Sequence, residues 1–392
     1  VNFPDLRYTD RNKGSLLVFQ SSARRAHFIL ICIFLGASHC ALAIVQPSCR
    51  ELVKGLPIEI PSRIVPVLGD PKLFRPVEFG SNRVTDALDA EFRDGKRLRP
   101  LITLLAAVAQ KQDFETAVKL SVIVEHLHQC SIILDDWLDK ELKRRGRVPL
   151  FRRVGAKKAI LTVVACQSRV TNYAAAHTDA ATQIWIGELA QQMVESELLQ
   201  LELLFDRSAF PVYTTDEYYE VARGKSGKLF GASSALTARH FGLPPDLTGE
   251  WEGLGQDMGV SYQILDDFGD AIQTPGTRWR REINFALRLH AELHGTNPFA
   301  PLTKFELGTL WQQQQPFFES RRRQMLERLD RLRIEHGPLS SEQVAAFDTL
   351  EDMVRYVSPD VPQEITSRLD ALTPWQRWWA SLPPLSRMFF RY

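Results

Sequence analysis

The stretch VKLSVIVEHLHQCSIILDDWLD, Val118–Asp139, decides how the rest of the chain reads. From Val118 to Leu134 it is apolar almost all the way round, which predicts a helix buried on every side. It ends in Asp135-Asp136-Trp137-Leu138-Asp139. Residues four apart share a helix face, so Asp135 and Asp139 project together while Asp136 lies about 100° round from Asp135. Two carboxylates at that spacing can share a hard cation such as magnesium, which keeps several waters and takes one or two protein carboxylates plus phosphate oxygens. Alone, a DDxxD cluster reads more readily as a solvated acidic helix end.

A second cluster changes that balance. Asp266-Asp267-Phe268-Gly269-Asp270 repeats the pattern after another apolar stretch, Val260 to Leu265. If the two clusters oppose each other, their concentrated negative charge is costly until cations fill the space between them. Short basic groups stand beside them in sequence: Lys96 and Arg99 in Gly95–Pro100, Arg144-Arg145-Gly146, and Lys225 and Lys228 flanking Ser226-Gly227. Arginine makes forked contacts with phosphate oxygens and lysine acts as a mobile point charge. Each group alone reads as solvated surface, but together they leave room for two diphosphates. Two nucleotide signatures fail. Gly224-Lys225-Ser226 lacks a P-loop's first glycine, because position 219 is Tyr219, and Gly253, Gly255 and Gly259 form GxGxxxG ahead of no strand.

Working outward, the 392 residues read as helix after helix from about Pro57, with Ile186, Leu189, Met193, Leu201 and Leu204, and then Met325, Leu329 and Leu332, at helical spacing. We expect one all-α domain over residues 57–358, preceded by an extension over 1–56 and followed by an aromatic-rich tail over 359–392 that carries Trp375, Trp378, Trp379, Phe389 and Phe390. The 48 basic and 47 acidic residues nearly cancel, which excludes a general nucleic-acid binder. Five cysteines without CxxC pairing argue against a zinc site or a disulfide framework. Phe28 to Val45 is an uncharged, mostly apolar run behind Arg24 and Arg25, and it contains the small-x-small pattern Ala41-Leu42-Ala43. It reads as an anchor or a signal peptide, either of which implies export of the downstream residues, or as an upstream extension or targeting segment that is no part of the catalytic fold, which is the reading adopted here.

The ordered motifs resemble the trans-isoprenyl diphosphate synthases, the polyprenyl synthetase family, over roughly residues 60–358. They are Gly95 to Pro100 (GKRxRP), Glu125 and His128 with the first aspartate cluster, Arg144-Arg145-Gly146, Glu195 to Leu201 (similar to EGExxQL), Lys225-Ser226, and Tyr262 to Asp267. The resemblance implies an isoprenoid synthase-type helical bundle around a central cavity. It implies that Asp135, Asp136, Asp139, Asp266, Asp267 and Asp270 hold Mg2+ on an allylic diphosphate, assisted by Arg144, Lys225 and Gln263. It implies that Lys96, Arg99, His128 and Arg145 bind isopentenyl diphosphate, with Ser226 standing at the family's lysine-threonine step. His128 lies two turns before Asp135 on the same face, which permits this. Glu197 and Gln200 extend an apolar stripe and are expected to line the cavity. Cys130 and Ser131 occupy positions where the family closes the pocket floor with aromatics for short products, so a head-to-tail product of geranylgeranyl length or longer is expected.

The charge balance implies no nucleic-acid partner, and the same resemblance implies a homodimer. Its substrates belong to cytosolic pools, so the expected location is cytoplasmic, with membrane contact or targeting through the N-terminal apolar run left open. Departures from the pattern are Ser196 for the EGE glycine, Thr162-Val163-Val164 after Ala159-Ile160-Leu161, and Thr274 to Arg281, which offers arginines at 278, 280 and 281 where the family shows a glycine-lysine pair and a further lysine. Two rivals remain: a terpene cyclase of the same fold, against which Lys96, Arg99 and Arg145 speak, and a non-catalytic modulating subunit, against which both retained aspartate clusters speak.

Overall fold

The computed structural model describes residues 60–70, 72–74, 91–92, 95–205, 213–271, 283–295 and 302–359. The apolar run 28–45, the arginine-bearing stretch 274–281 and the aromatic tail beyond 359 lie outside them. Every named element among the described residues is helical, and the only extended pairing there is an isolated bridge between Arg144 and Arg147.

The helices are Ile64–Gly69 (α1), Leu98–Ala109 (α2), Phe114–Leu138 (α3), Leu150–Val154 (α4), Ala156–His177 (α5), Ala180–Phe205 (α6) and Thr215–Ala222 (α7). A π-helical turn, Arg223–Gly227, leads into Lys228–His240 (α8). Pro245–Asp270 (α9), Phe285–His294 (α10), Lys304–Glu335 (α11) and Ser341–Val357 (α12) complete the set.

Their starts are legible chemistry. Asp113 caps α3 by accepting the Thr116 N–H at 2.7 Å, and Thr214–Glu217, Thr303–Glu306 and Ser340–Gln343 form reciprocal capping boxes at α7, α11 and α12. Pro245 opens α9 at a position whose N–H has no intrahelical partner.

Burial follows the apolar periodicity. Leu120, Ile123, Val124 and Leu127 of α3 pack with Ile186, Leu189 and Met193 of α6 and with Leu229 and Leu236 of α8. Leu101, Leu104 and Leu105 of α2 share a second core with Trp251 of α9, Met325, Leu329 and Leu332 of α11, and Phe347 and Leu350 of α12. Each such side chain contributes roughly 1.5–3 kcal/mol through burial. The first aspartate cluster therefore ends a helix held on several sides.

The glycines rejected as a nucleotide motif have a packing role. A Cβ at Gly255 would meet the Phe230 carbonyl oxygen at 2.3 Å, and one at Gly259 would meet the Ser226 carbonyl oxygen at 2.7 Å and the Gly227 Cα at 2.9 Å. Only hydrogen at these positions lets the α9 backbone lie against the π turn and α8. That contact fixes Lys225 and Ser226 relative to Gln263 and the second aspartate cluster, which lie farther along α9.

Candidate active site

Both aspartate clusters and the central basic groups face a connected set of cavities. The larger, about 880 Å³, is lined by Lys96, Arg99, His128, Asp135, Arg144, Arg145, Glu197, Lys225, Ser226, Gln263 and Asp266 among others. A smaller one, about 130 Å³, is lined by Asp135, Asp139, Arg144, Gln200, Lys225, Gln263, Asp266, Asp267 and Asp270. Asp135, Arg144, Lys225, Gln263 and Asp266 border both.

On the acidic side the second aspartate of each cluster differs from the other two. Asp136 is buried, and its Oδ1 accepts a hydrogen bond from Arg144 Nε at 2.6 Å. Burial pushes its carboxyl up to about 6 against the opposing pull of Arg144. Asp267 is buried as well. Its Oδ2 accepts from the Tyr218 hydroxyl at 2.6 Å and the Phe285 N–H at 2.8 Å, and its Oδ1 accepts from Gln263 Nε2 at 3.0 Å. Burial pushes it up to about 7, with those hydrogen bonds opposing. Asp136 thus ties the arginine turn to α3, and Asp267 ties α7 and α10 to α9. Asp135, Asp139, Asp266 and Asp270 all border the smaller cavity, which Asp267 also touches.

Lys225 projects from the π turn into this acidic set, a backbone irregularity of the kind that recurs at functional sites. Its Nζ lies 3.2 Å from Asp135 Oδ1, 3.0 Å from Glu197 Oε1 and 3.2 Å from Gln200 Oε1. Burial disfavours its charge, but Asp135, Glu197 and Asp139 outweigh that and hold the ammonium protonated. Burial and the neighbouring Asp135 raise Glu197 above the usual carboxylate range. Its Oε2 is buried with no hydrogen-bond partner, so the acidic pocket has an unmet demand for a proton or a cation. Ser226 donates to Gln263 Oε1 at 2.7 Å, which orients the amide toward Asp267.

The basic side is built around α2 and a tight turn. Arg145 and Gly146 both have positive φ, 51° and 76°, and Arg144 and Arg147 exchange backbone hydrogen bonds of 2.8 and 2.9 Å. This is the two-residue geometry in which glycine suits the second central position. It directs Arg144 toward Asp136 and Arg145 toward Gly95, where an added Cβ would stand 3.3 Å from the guanidinium. Arg99 Nη1 meets His128 Nε2 at 3.0 Å. Burial, then Arg99 and Arg145, hold the imidazole well below its ordinary value, so it is neutral and accepts from Arg99. Burial also lowers Arg99 to about 10. Lys96 donates to the Tyr356 hydroxyl at 2.9 Å. Converging cations that burial disfavours make a receptor for an anion rich in oxygen.

Part of the wall of the larger cavity is apolar, with Cys130, Ile132, Leu134, Val163, Ala190, Met193 and Val194. Ser131 also borders the cavity and donates to the His128 carbonyl at 2.8 Å.

Several supports escaped the sequence reading. Arg97, with φ 52°, turns its guanidinium inward onto Glu125 and the Phe92 carbonyl, and Gln129 Nε2 donates to the same Glu125 oxygen at 2.7 Å. The signal available was Glu125 and Gln129 one turn apart in an apolar run, because buried charge requires partners. Tyr218 and Tyr356 gave none, since each reaches the site through tertiary packing.

Among the described residues no three carboxylate, imidazole or thiol groups come close enough to hold a metal alone. Pairs of carboxylates facing one cavity, with an unsatisfied carboxylate oxygen beside them, suit magnesium that retains its waters and shares phosphate oxygens. The residues present fit that ion.

Known proteins resemble this chain in sequence and in fold. The chain is 30% identical over 180 residues to a geranylgeranyl pyrophosphate synthase of Geoglobus acetivorans, covering 45% of this chain and 56% of that protein. It is 25% identical over 210 residues to an octaprenyl diphosphate synthase of Escherichia coli, covering 52% and 64%. The chain therefore spans less than two thirds of the length of these curated relatives. In fold it matches the crystal structure of a geranylgeranyl pyrophosphate synthase from Lactobacillus brevis, with a TM-score of 0.61, 20% identity, and 76% of this chain and 97% of that one covered. It also matches a decaprenyl diphosphate synthase from Rhodobacter capsulatus, with a TM-score of 0.60, 20% identity, and 79% and 98% covered. The all-helical fold is thus that of prenyl synthase structures. The polyprenyl synthetase family profile matches residues 81–279, just over half of the 392, and spans both aspartate clusters and the basic groups between and before them; the chain belongs to the polyprenyl synthetase family.

Proposed function

We propose that this protein is a magnesium-dependent trans-prenyltransferase that condenses an allylic diphosphate with isopentenyl diphosphate head to tail. The observation that supports this reading is the unequal lining of the two cavities: carboxylates of both aspartate clusters with Lys225 border the smaller, while Lys96, Arg99, His128 and Arg145 border only the larger. A single-diphosphate cyclase has no use for the second group.

Asp135, Asp139, Asp266 and Asp270 would hold magnesium at the first diphosphate. Bound there, the metal supplies Lewis-acid charge that stabilises a departing diphosphate. Lys225, kept protonated by its acidic neighbours, and Arg144 add fixed positive charge on the same leaving group, where charge develops as the allylic C–O bond breaks. Neutral His128, Arg99, Arg145 and Lys96 seat the second diphosphate so that its double bond meets the allylic carbon. The apolar wall excludes water from the cationic fragment. No side-chain nucleophile is required, and the proton lost at the end passes to the released diphosphate.

Small side chains at Cys130 and Ser131 leave depth beyond the acidic end, so the product is of geranylgeranyl length or longer. Exposed apolar residues of α5 and α6 support a homodimer, and a cytoplasmic location fits the pools of these substrates. The test is an assay with labelled isopentenyl diphosphate, a panel of allylic primers and magnesium, with products resolved into chains and cyclic hydrocarbons. Primer-dependent, chelator-sensitive chain growth is expected. Cyclic hydrocarbon from a single diphosphate would point to the cyclase, and no turnover with any primer to a modulating subunit.

A further inference from the structure

Between Lys96 and Arg99 stands a third cation with a different set of partners. The Arg97 guanidinium is buried, lies 4.8 Å over the Phe74 ring, and donates through Nη1 to Glu125 Oε1 and through Nη2 to the Phe92 carbonyl. Glu125 is buried too, and its Oε1 also accepts from Gln129 Nε2 at 2.7 Å. The backbone of Arg97 has a left-handed φ of 52°, and its carbonyl accepts from the Leu101 N–H at 2.9 Å, so α2 starts from this residue. Glu125 stands one turn before His128 on α3. That helix therefore meets the start of α2 twice: Glu125 accepts from Arg97, and His128 accepts from Arg99 at 3.0 Å.

None of these features favours the fold by itself. A left-handed backbone is unfavourable for arginine, whose Cβ crowds the following carbonyl. A buried ion pair gives no more stability than well-packed apolar side chains of the same volume. Arg97 Nε is also buried with no hydrogen-bond partner, which costs further free energy. What the pair supplies is direction. A planar guanidinium held at two nitrogens is fixed in rotation as well as position, and this one belongs to the residue that joins Lys96 to the first turn of α2. Glu125 also lies close enough to Arg99 and Arg145 to favour their charge. We propose that Arg97 and Glu125 are a positioning pair that sets Lys96 and Arg99 for the diphosphate of isopentenyl diphosphate. Both act through those two cations and not by contact with the substrate. The identity of the substrate rests on the prenyltransferase reading; the coupling of Arg97 to diphosphate binding does not.

The test uses the full-length protein and varies isopentenyl diphosphate at saturating primer and magnesium, then primer at saturating isopentenyl diphosphate. Asparagine tolerates the left-handed conformation but is too short to hold Glu125. Arg97→Asn should raise KM for isopentenyl diphosphate about tenfold, while KM for the primer and kcat stay within about twofold. Arg97→Asn combined with Glu125→Gln leaves no buried charge stranded. Its urea midpoint should return toward wild type while KM for isopentenyl diphosphate stays raised, whereas a purely structural pair would recover in both. If the single variant does not fold, the double variant carries the test. Titration calorimetry with isopentenyl diphosphate, without magnesium, reads the same effect as an affinity. Binding about tenfold weaker in the variants supports the pair, and a lack of turnover beside it counts against the prenyltransferase reading alone. The proposal is overturned by an unchanged KM or affinity, by equal rises in KM for both substrates, by a KM that recovers with the midpoint in the double variant, or by a wild type that binds no isopentenyl diphosphate.

Discussion

Asp136 Oδ1 accepts a hydrogen bond from Arg144 Nε at 2.6 Å, and that contact separates the second aspartate of the first cluster from its neighbours. Asp136 is 1% exposed, whereas Asp135 and Asp139 border the cavity. Asp136→Ala removes a charge-assisted hydrogen bond but leaves Arg144, whose side chain is 33% exposed, open to the cavity, so it should destabilise the fold by about 1–2 kcal/mol. Asp135→Ala leaves Lys225 with Glu197 and Gln200. It should change stability by less than about 1 kcal/mol while lowering turnover roughly a hundredfold, as loss of one electrostatic stabiliser does. Urea unfolding beside the magnesium-dependent assay distinguishes the two. Equal stability losses would contradict the division of roles.

His128 gives a pH prediction. Burial, Arg99 and Arg145 hold its folded value well below the ordinary 6.5. The unfolded chain therefore binds a proton that the folded chain refuses as pH falls below that ordinary value. Stability is full above it and falls as pH drops, with a slope of up to about 1.4 kcal/mol per pH unit for one proton. His128→Gln keeps an acceptor for Arg99 but cannot titrate. Urea midpoints of wild type and variant should differ in slope between pH 7.5 and 5, with the variant the flatter. Parallel slopes would remove His128 as the cause.

The helical class was legible because Val118 to Leu134, Ile186 to Met193 and Met325 to Leu332 carry the period of a buried helix face. The candidate site was legible at its charged tips. Helical spacing alone set Asp136 apart from Asp135 and Asp139, and the structure puts it in the pair with Arg144, whereas the family resemblance treats all three alike. The scaffold beneath the tips was not legible. Tyr218 reaches Asp267 and Tyr356 reaches Lys96 only because distant helices pack there, and no local pattern encodes such a contact. GxGxxxG was visible as a motif, but its role depends on the facing backbone of Ser226 and Phe230.

Ser196 stands where the family has glycine, and Gly224 accommodates it. A Cβ on Gly224 would lie 1.6 Å from Ser196 Oγ and 2.4 Å from its Cβ. Gly224→Ala should therefore cost roughly 1–3 kcal/mol by overpacking and displace neighbouring Lys225, lowering turnover as well. Ser196→Gly in the same chain should restore most of both. A double variant as impaired as Gly224→Ala alone would place the strain elsewhere.

Cys130 borders the cavity five residues before Asp135, on the wall that also holds Val163 and Met193. Phenylalanine there would fill space that a growing chain needs. Cys130→Phe should shift the product distribution to shorter chains with the same primer, read by chromatography of the dephosphorylated products. An unchanged longest product would remove Cys130 from the cavity floor.

The outer faces of α5 and α6 bear on assembly. Leu161 and Val164 on α5 are 67% and 55% exposed, and Ile184, Val194 and Leu198 on α6 are 63%, 42% and 53% exposed. On α6 these residues recur at intervals compatible with one helix face, and contiguous large apolar side chains of that kind mark an interaction surface. Val194 also borders the cavity, so a second copy seated here would close that part of the wall. Charge placed in the centre of an apolar contact is costly to bury. Leu161→Glu combined with Leu198→Glu should therefore convert a dimer to a monomer in sedimentation velocity while the far-ultraviolet spectrum stays helical. A wild-type chain that sediments as a monomer at micromolar concentration would contradict the homodimer, and a dimer that survives both charges would put its interface on another face.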